Sequence, residues 1–544
     1  MRAKGGMLAA GASRRRSHVV AAVKRIGPQV WQGAKHERPS IRRQSPAASG
    51  PLPGEAASSA TTKHQGDPPT LASATADASP DGALQSRVTG WAGLVLLVAV
   101  AVGLFGQGAY YASVQRVVGV LVAAATVLAL AAWPPTRSDA RLLPVVPAAA
   151  LAAWAGLDAA LRGVPMASVG LALLLLGVVA VLLVCRRLAR EDREVLFIGV
   201  SGIGLVVALA GWLGVAGRVG SWAFQAQGVW RASSLLSYPN ATAAVLVAVA
   251  LLVLARLVQM PRSVPLVLAA TGLLVGLAAT ASRAGALALA VGVIVLAALR
   301  GPRVTARAAV GPCAGALLAL ACLVPSMPAA SPPRPVLALL GLCAGLALAA
   351  VVARLRWRLA VALLLAGALA AGLPLVAIAG SGVGDAVQTV AQARINLASP
   401  DREGALHAAL LVIAEHPLAG AGPAHAQLRW KEPDGGIHLF AYAHNEYAQL
   451  AAELGLVGLT LLAVLLVAIA RLLWSARATS PSEAAWAGVV AAVAAFAVHS
   501  GFDFVWHLPA VVLTVMLLVG VVLPAPDGAD TRTRVRYRTR KEGR

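Results

Sequence analysis

The sequence predicts an all-α, polytopic integral membrane bundle of about fourteen transmembrane helices (12–14), with a helical cap built from a long outer loop. Three observations predict it. Hydrophobic residues make up 58% of the 544 and charged residues 13%, against about one half and one quarter in soluble domains. The apolar residues lie in long runs of Ala, Leu, Val and Gly, and about 20 such residues cross a bilayer as a helix. Arginines recur between those runs in alternate connections, as they do where loops stay inside. The net charge of +23 sits in tails and short loops, so it sets topology and implies no nucleic-acid partner.

Residues 1–87 are rich in Pro, Ser, Ala, Gly and Arg without apolar periodicity. They read as a disordered basic cytoplasmic tail. No apolar core follows the basic start, so no signal peptide is expected. Candidate spans follow near 89–106, 112–133, 143–161, 165–185, 195–213, 241–258, 264–281, 284–300, 307–325, 335–353 and 357–379. These make 88–379 a domain of eleven spans. The segment 380–445 is a large extracytoplasmic loop, and 446–524 holds three more spans near 446–470, 484–505 and 508–524. Residues 525–544 form a second basic tail. The runs do not alternate, so helix rather than strand is expected.

Placing the N-terminus inside puts Arg137 and Arg141, Arg186 and Arg187, Arg256 and Arg262, Arg300 and Arg303, Arg354 and Arg356, and Arg471 and Arg477 in successive inner loops. One missed span would invert this alternation. The expectation is a multi-pass plasma (inner) membrane protein with both termini cytoplasmic. Cys185, Cys313, Cys322 and Cys343 lie in or beside apolar spans and suggest no disulfide framework.

Two outer connections, near 214–240 and 380–445, exceed simple turns. In the second, Ser399-Pro400-Asp401 is a helix start with a capping Ser and Pro at the first position. Leu406, Ala409, Leu410 and Ile413 then share a helical face. Glu415-His416-Pro417 ends the helix, and Gly420-Ala421-Gly422-Pro423 is a turn.

Ionisable residues gather at the outer ends of spans and in these loops: Arg231, Arg283, Arg394, Arg402, His407, His416, His425, Arg429, His438, His444, Glu446, Glu453, His499, Asp503 and His507. Such groups near a bilayer suggest function. His444 stands where the loop enters a span, at a helix N-terminus suited to anions. From the residues alone it is an interfacial cap or a general base. Arg283, Arg402 and Arg231 are snorkelling side chains or guanidinium clamps for a diphosphate. His499, Asp503 and His507 are spaced i, i+4, i+8, but Pro509 ends the helix, so hydrogen bonding at the rim is expected rather than a metal site. No phosphate-binding loop occurs, and no inner acidic cluster suits a metal-bound nucleotide sugar. No cofactor or metal is expected.

His444-Asn445, nine residues, then Gly455-x-x-Gly458 resembles the H-[NSQ]-x9-G-x-x-[GTY] pattern of O-antigen ligases. Arg402-x-x-x-Leu406 resembles their R-x3-L pattern, and Glu415-His416-Pro417-Leu418-Ala419-Gly420-Ala421-Gly422 is similar to the segment joining the two. Tyr238-Pro239-Asn240 and Ser282-Arg283 also look like that superfamily, and the resemblance covers roughly 195–510. The superfamily includes ligases, polymerases of lipid-linked repeat units and some protein O-glycosyltransferases. It usually shows about twelve spans. The resemblance implies metal-independent glycosyl transfer on the extracytoplasmic face. The donor is a glycan on a polyprenyl (undecaprenyl) diphosphate, and the acceptor a hydroxyl on a glycan, lipid or protein. It makes His444 the base, with Arg402 and Arg283 on the diphosphate. Arg231, Asn240, Asn445 and Tyr447 join as substrate-binding residues. The alternatives are a transporter or flippase of lipid-linked glycan and a non-enzymatic membrane scaffold.

Overall fold

The structure, a computed structural model, describes residues 80–135, 139, 143–355, 382–395, 400–424, 426, 428–431, 436–480 and 482–524. Among the described residues are fifteen α-helices and two antiparallel hairpins. The first helices are α1 (Pro80–Phe105), α2 (Ala112–Ala132), α3 (Val145–Leu161), α4 (Val169–Arg187) and α5 (Arg190–Gly217). A hairpin, β1 (Ala223–Ala226) and β2 (Val229–Ala232), precedes α6 (Pro239–Gln259), α7 (Val264–Ala279), α8 (Arg283–Arg300), α9 (Pro302–Leu323) and α10 (Pro335–Arg354). Helices α11 (Gly382–Ile395) and α12 (Pro400–Glu415) and a hairpin, β3 (Leu428–Lys431) and β4 (Ile437–Phe440), lead into α13 (Glu446–Ala476), α14 (Glu483–Ser500) and α15 (Pro509–Val521).

Ten of these helices are long and apolar enough to cross a membrane, and the chain is a polytopic helical membrane protein. The expected spans correspond to α1–α10 and α13–α15, with α3, α7 and α15 shorter than the rest. The span expected at 357–379 lies outside the described residues, as do 1–79 of the N-terminal tail and the C-terminal tail 525–544. Helix α1 starts at Pro80, inside the expected tail. Pro suits a first helical turn, and Thr89 Oγ1 donates to Gln85 O at 3.2 Å, so the helix extends past its apolar run.

Helix α6 is the centre of the bundle. It carries no charge before its last turn, and 89% of its apolar window is buried. Small residues along it let neighbours approach closely, which drives helix packing where apolar burial from water cannot.

Helices that the sequence runs in opposite directions meet end to end as that alternation requires. At one end Arg187 donates to Asp139 at 2.9 Å, Arg256 pairs with Glu194, Arg300 pairs with Glu483 at 2.5 Å, and Arg193 donates to Leu523 O. At the other, Trp154 Nε1 donates to Leu454 O at 3.0 Å, Arg162 to Gly420 O at 2.7 Å, and Arg231 Nε to Thr280 O at 2.9 Å. The connection 214–240 belongs to this second end. Gln227 and Gly228 take positive φ of 52° and 72°, the turn a two-residue hairpin needs. Trp230 N then bonds Met327 O at 2.7 Å.

The cap departs from expectation in two ways. It contains the β3–β4 hairpin as well as helices. Helix α12 has the expected limits but buries Ala405, Ala408 and Ala409, whereas Leu410 is 53% exposed. Ala408 and Ala409 pack with Leu428, Ala443 and Ala452. The small face allows a close approach to α13, and the leucines are turned outward.

Helix α13 is broken at Gly455, whose φ of 66° and ψ of −168° are not helical. The 417–422 segment fills the break. Ala421 N and Gly422 N donate to Ala452 O and Glu453 O at 2.8 and 2.9 Å, and Leu456 N donates to Pro417 O at 2.8 Å. The backbones almost touch: a Cβ on Gly455 falls 2.1 Å from Leu418 O, and one on Gly420 2.4 Å from Glu453 C. Gly455→Ala therefore combines a positive φ with a backbone collision. The expected outcome is a loss of about 2–4 kcal/mol, read as a lower melting temperature in detergent. Gly119→Ala, with nothing within 4 Å of its Cβ, leaves the melting temperature unchanged or slightly raised.

Candidate functional site

Four helix N-termini meet around one buried carboxylate. Pro239 opens α6, Ser282 caps α8 by accepting from Gly285 N at 3.1 Å, and Pro400 opens α12. Asn445 caps α13 by accepting from Ala448 N at 3.0 Å. These are residue types that start helices for geometric reasons. Each start carries unpaired N–H groups and partial positive charge.

The carboxylate is Asp503, in the turn between α14 and α15, and it is 0% exposed. Its Oδ1 accepts from Tyr238 Oη at 2.6 Å, Phe504 N at 2.9 Å and His444 Nδ1 at 3.1 Å. Its Oδ2 accepts from Arg402 Nη2 at 3.2 Å and from Asn240 Nδ2. Burial alone pushes this carboxyl up. The His444 hydrogen bond, the Arg402 and His444 charges and the Tyr238 hydroxyl outweigh it and hold it at about 2. It stays ionised, as a carboxylate with this many donors does.

An ionised Asp503 defines the His444 tautomer. In the neutral imidazole Nδ1 carries the proton it donates, and Nε2, which faces away, carries the lone pair. No hydrogen bond to Nε2 occurs among the described residues, and the side chain is 25% exposed. His444 has a φ of 51°, rare for a residue other than glycine. Ala443 N holds the turn by donating to Gln449 Oε1 at 2.8 Å.

Arg402 also donates through Nη1 to Phe502 O at 3.2 Å and stays 33% exposed. Arg231 Nη2 donates to Asn240 Oδ1 at 3.0 Å, and Ser282 Oγ donates to the same atom at 2.9 Å. Asn240 thus joins Arg231 and α8 to Asp503. Arg283 is half-buried at the first position of α8, directly after Ser282. Asn445 serves the fold as the α13 cap. Tyr447 donates to Ala497 O at 2.8 Å, so its hydroxyl ties α13 to α14. An aromatic row lines the site: Tyr238 stacks on Phe504 at 4.9 Å, Tyr442 stacks on its other side at 4.5 Å, and His444 meets the Phe504 ring at 5.1 Å. Burial and the neighbouring Asp503 charge raise the Tyr238 phenol well above its usual value, so it remains a donor.

The trio spaced i, i+4, i+8 does not act together. Asp503 pairs with His444, His507 pairs with Glu446 at 3.3 Å, and His499 is enclosed with both ring nitrogens unbonded. His407 and His416 are exposed on and after α12, and the side chains of Arg394, His425 and His438 lie outside the described residues.

Residues 335–463 match the O-antigen ligase family model. No curated protein matches the chain. The O-antigen ligase stretch is narrower than the 195–510 expected. It holds Arg402, the 416–422 segment, His444 and the Gly455-x-x-Gly458 break. Arg231, Asn240, Arg283 and Asp503 reach the same site from outside it. Asp503 is the member that sequence reasoning placed at the rim without a role. Its one signal was the spacing from His499.

The low Asp503 value also affects stability. A carboxyl held at about 2 in the fold, below its ordinary 3.8, stabilises the ionised fold by about 2 kcal/mol. That contribution is complete above pH ~4 and is lost as the pH falls toward 2. Asp503→Asn is expected to be less stable than wild type by about that amount at pH 7. In melts followed by tryptophan fluorescence the gap narrows toward pH 3.

Proposed function

We propose that the chain is a membrane glycosyltransferase, a ligase or polymerase that moves a glycan from a polyprenyl diphosphate to an acceptor hydroxyl on the extracytoplasmic face. The observation that carries the reading is the meeting of helix N-termini and arginines beside a histidine whose Nδ1 meets Asp503 and whose Nε2 has no hydrogen bond among the described residues. The match of residues 335–463 to the O-antigen ligase model supports the same reaction class. The arginines at the opposite end of the bundle support a cytoplasmic position for that end and for both termini. The site then faces outward from a plasma (inner) membrane, with the polyprenyl chain among the membrane lipids.

The donor diphosphate lies against Arg402, Arg231 and Arg283 and the starts of α6, α8 and α12. Arg402 spends two of its five N–H donors on Asp503 and Phe502 O, which leaves three for phosphate oxygens. The acceptor hydroxyl gives its proton to His444 Nε2. Its oxygen attacks the anomeric carbon from the side opposite the leaving group. The bond to the diphosphate breaks, and its electron pair departs on the phosphate oxygen, where guanidinium groups and helix starts stabilise the charge. Configuration inverts. Asp503 stays ionised and stabilises the imidazolium, the part a carboxylate plays in a Ser-His-Asp triad. His444 then returns its proton to water.

The test uses the full chain in nanodiscs, with lipid-linked glycan extracted from a host lacking it. His444→Ala is expected to lower turnover by about 10²–10⁴ with donor binding retained. Arg402→Ala is expected to weaken donor binding by about ten- to a hundredfold. Full turnover by His444→Ala sinks the assignment of the base. In the deletion host, accumulated single units indicate a polymerase and finished chains a ligase.

A further inference from the structure

A second histidine–carboxylate pair stands across the Phe504 ring from His444 and Asp503, and the transfer chemistry above does not use it. Glu446, the first residue of α13, is 2% exposed. Its carboxylate accepts from Trp506 N and from His507 Nδ1, the latter at 3.4 Å to Oε1 and 3.3 Å to Oε2. One turn further along α13, Gln449 donates to Glu453 Oε1 at 2.6 Å. The His507 side chain is 30% exposed, and no hydrogen bond to its Nε2 occurs among the described residues. The ring lies 4.4 Å from Tyr442, which stacks on Phe504. Tyr442 Oη meets Tyr110 Oη at 3.2 Å, and Tyr110 is 42% exposed.

The result is a wall of aromatic rings, Phe504 and Tyr442, with a histidine at each end and two phenol hydroxyls along its edge. His444 and His507 each meet a carboxylate through Nδ1 and leave Nε2 without a hydrogen bond among the described residues. Tyr238 and Tyr442 cover both faces of Phe504, so this side offers ring edges, phenol hydroxyls and imidazoles, which suit the hydroxyls of a sugar. It does not suit a diphosphate, because the Glu446 and Glu453 carboxylates stand beside it. The arginines and the α6 and α8 starts are reached through Asn240 and Asp503 instead. The two substrates therefore have separate sides of Phe504.

We infer that Glu446, His507 and Tyr442 form the acceptor subsite, in which His507 Nε2–H donates to a hydroxyl oxygen of the acceptor sugar and sets the reacting hydroxyl at His444. The inference rests on the transferase reading. The direction of the His507 titration supports it. Burial pulls the His507 imidazolium down, but the Glu446 hydrogen bond and the Glu446 and Glu453 charges raise it above its usual value. The other titratable groups around it are Tyr442 on the cap, His499 on α14, Tyr238 before α6, and Asp503 and His444 beyond Phe504; α15 carries none.

The test is a two-substrate titration in nanodiscs. The donor is the lipid-linked glycan of the deletion host, and the acceptor is that host's envelope glycan fraction, titrated by sugar content. His507→Gln is expected to raise the acceptor half-saturation by about tenfold, with kcat within about twofold and donor half-saturation unchanged. In wild type the acceptor half-saturation climbs as the pH rises through the His507 titration; in His507→Gln it is flat. Tyr442→Phe, which removes one hydroxyl, shifts acceptor half-saturation in the same direction and covers a His507 variant that fails to fold. Unchanged acceptor half-saturation in folded variants overturns the subsite, as does a change confined to the donor or to kcat. A wild-type chain that turns over no donor overturns the transferase reading, and the subsite with it.

Discussion

The end of the bundle that holds the site depends on keeping one buried carboxylate ionised. An unpaired charge in a protein interior costs several kcal/mol, so Asp503 demands donors, and it draws them from distant segments. Tyr238 and Asn240 come from the start of α6, Arg402 from α12, His444 from the entry to α13, and Phe504 N from its own turn. Satisfying the carboxylate therefore sets the positions of these helix starts relative to one another. The same bonds fix the tautomer of His444, so the fold's electrostatic need and the proposed base are one arrangement. Removing a single partner leaves the charge uncompensated, which costs more than the lost hydrogen bond.

A second constraint is steric and lies in the glycines. The Gly455-x-x-Gly458 and Gly420-x-Gly422 pairs do no chemistry. Gly455 breaks α13, and the strand of chain at 417–422 lies against the break, bonded backbone to backbone. Helix breaks near a membrane leave carbonyls without partners; here Ala421 and Gly422 satisfy them. The clasp ties the cap to the bundle near the His444 turn. Arg162 and Trp154 of the N-terminal helices bond to the clasp at Gly420 O and Leu454 O. A motif that reads as catalytic thus joins the proposed base, His444, to a backbone break at Gly455.

These two constraints explain which parts of the structure were legible in the sequence. Spans were legible because apolar length is a bulk property. Helix α12 was legible at both ends, since Pro400 and the His416-Pro417 stop are local signals. Its buried face was legible in part: Ala409 and Ile413 pack inward as expected, but Leu410 turns out, because alanine permits a closer approach to α13 than leucine does. The hairpins have strands of four residues, too short for a period-two pattern to stand out. His444, Arg402 and Arg231 were singled out by residue type and place and Asn240 by resemblance, and the fold brings the four together around Asp503. Asp503 was not given its role, because its partner His444 is 59 residues away and no helical spacing connects them. Tyr447 and Asn445 are near His444 in sequence, but the fold uses one as a tie to α14 and the other as a cap.

The hub also bears on how tightly a diphosphate can be held. Three unopposed guanidinium groups would grip donor and product alike, and equal binding of ground and transition states lowers no barrier. Asp503 neutralises Arg402 before any ligand arrives, and Asn240 engages Arg231 through a neutral amide. What remains for the diphosphate is a set of N–H donors and the starts of α6, α8 and α12, aligned in advance but with much of the net charge already spent. Such groups gain most when charge builds on the leaving oxygen, because they are fixed and need not reorganise. The separation of carboxylates supports the same division. Asp503 stands behind His444 and below the arginines, and Glu446 and Glu453 stand on the far side of Phe504. The cationic half of the site is thereby confined to the side where a phosphate would leave, and the acidic half to the side where a neutral hydroxyl would enter.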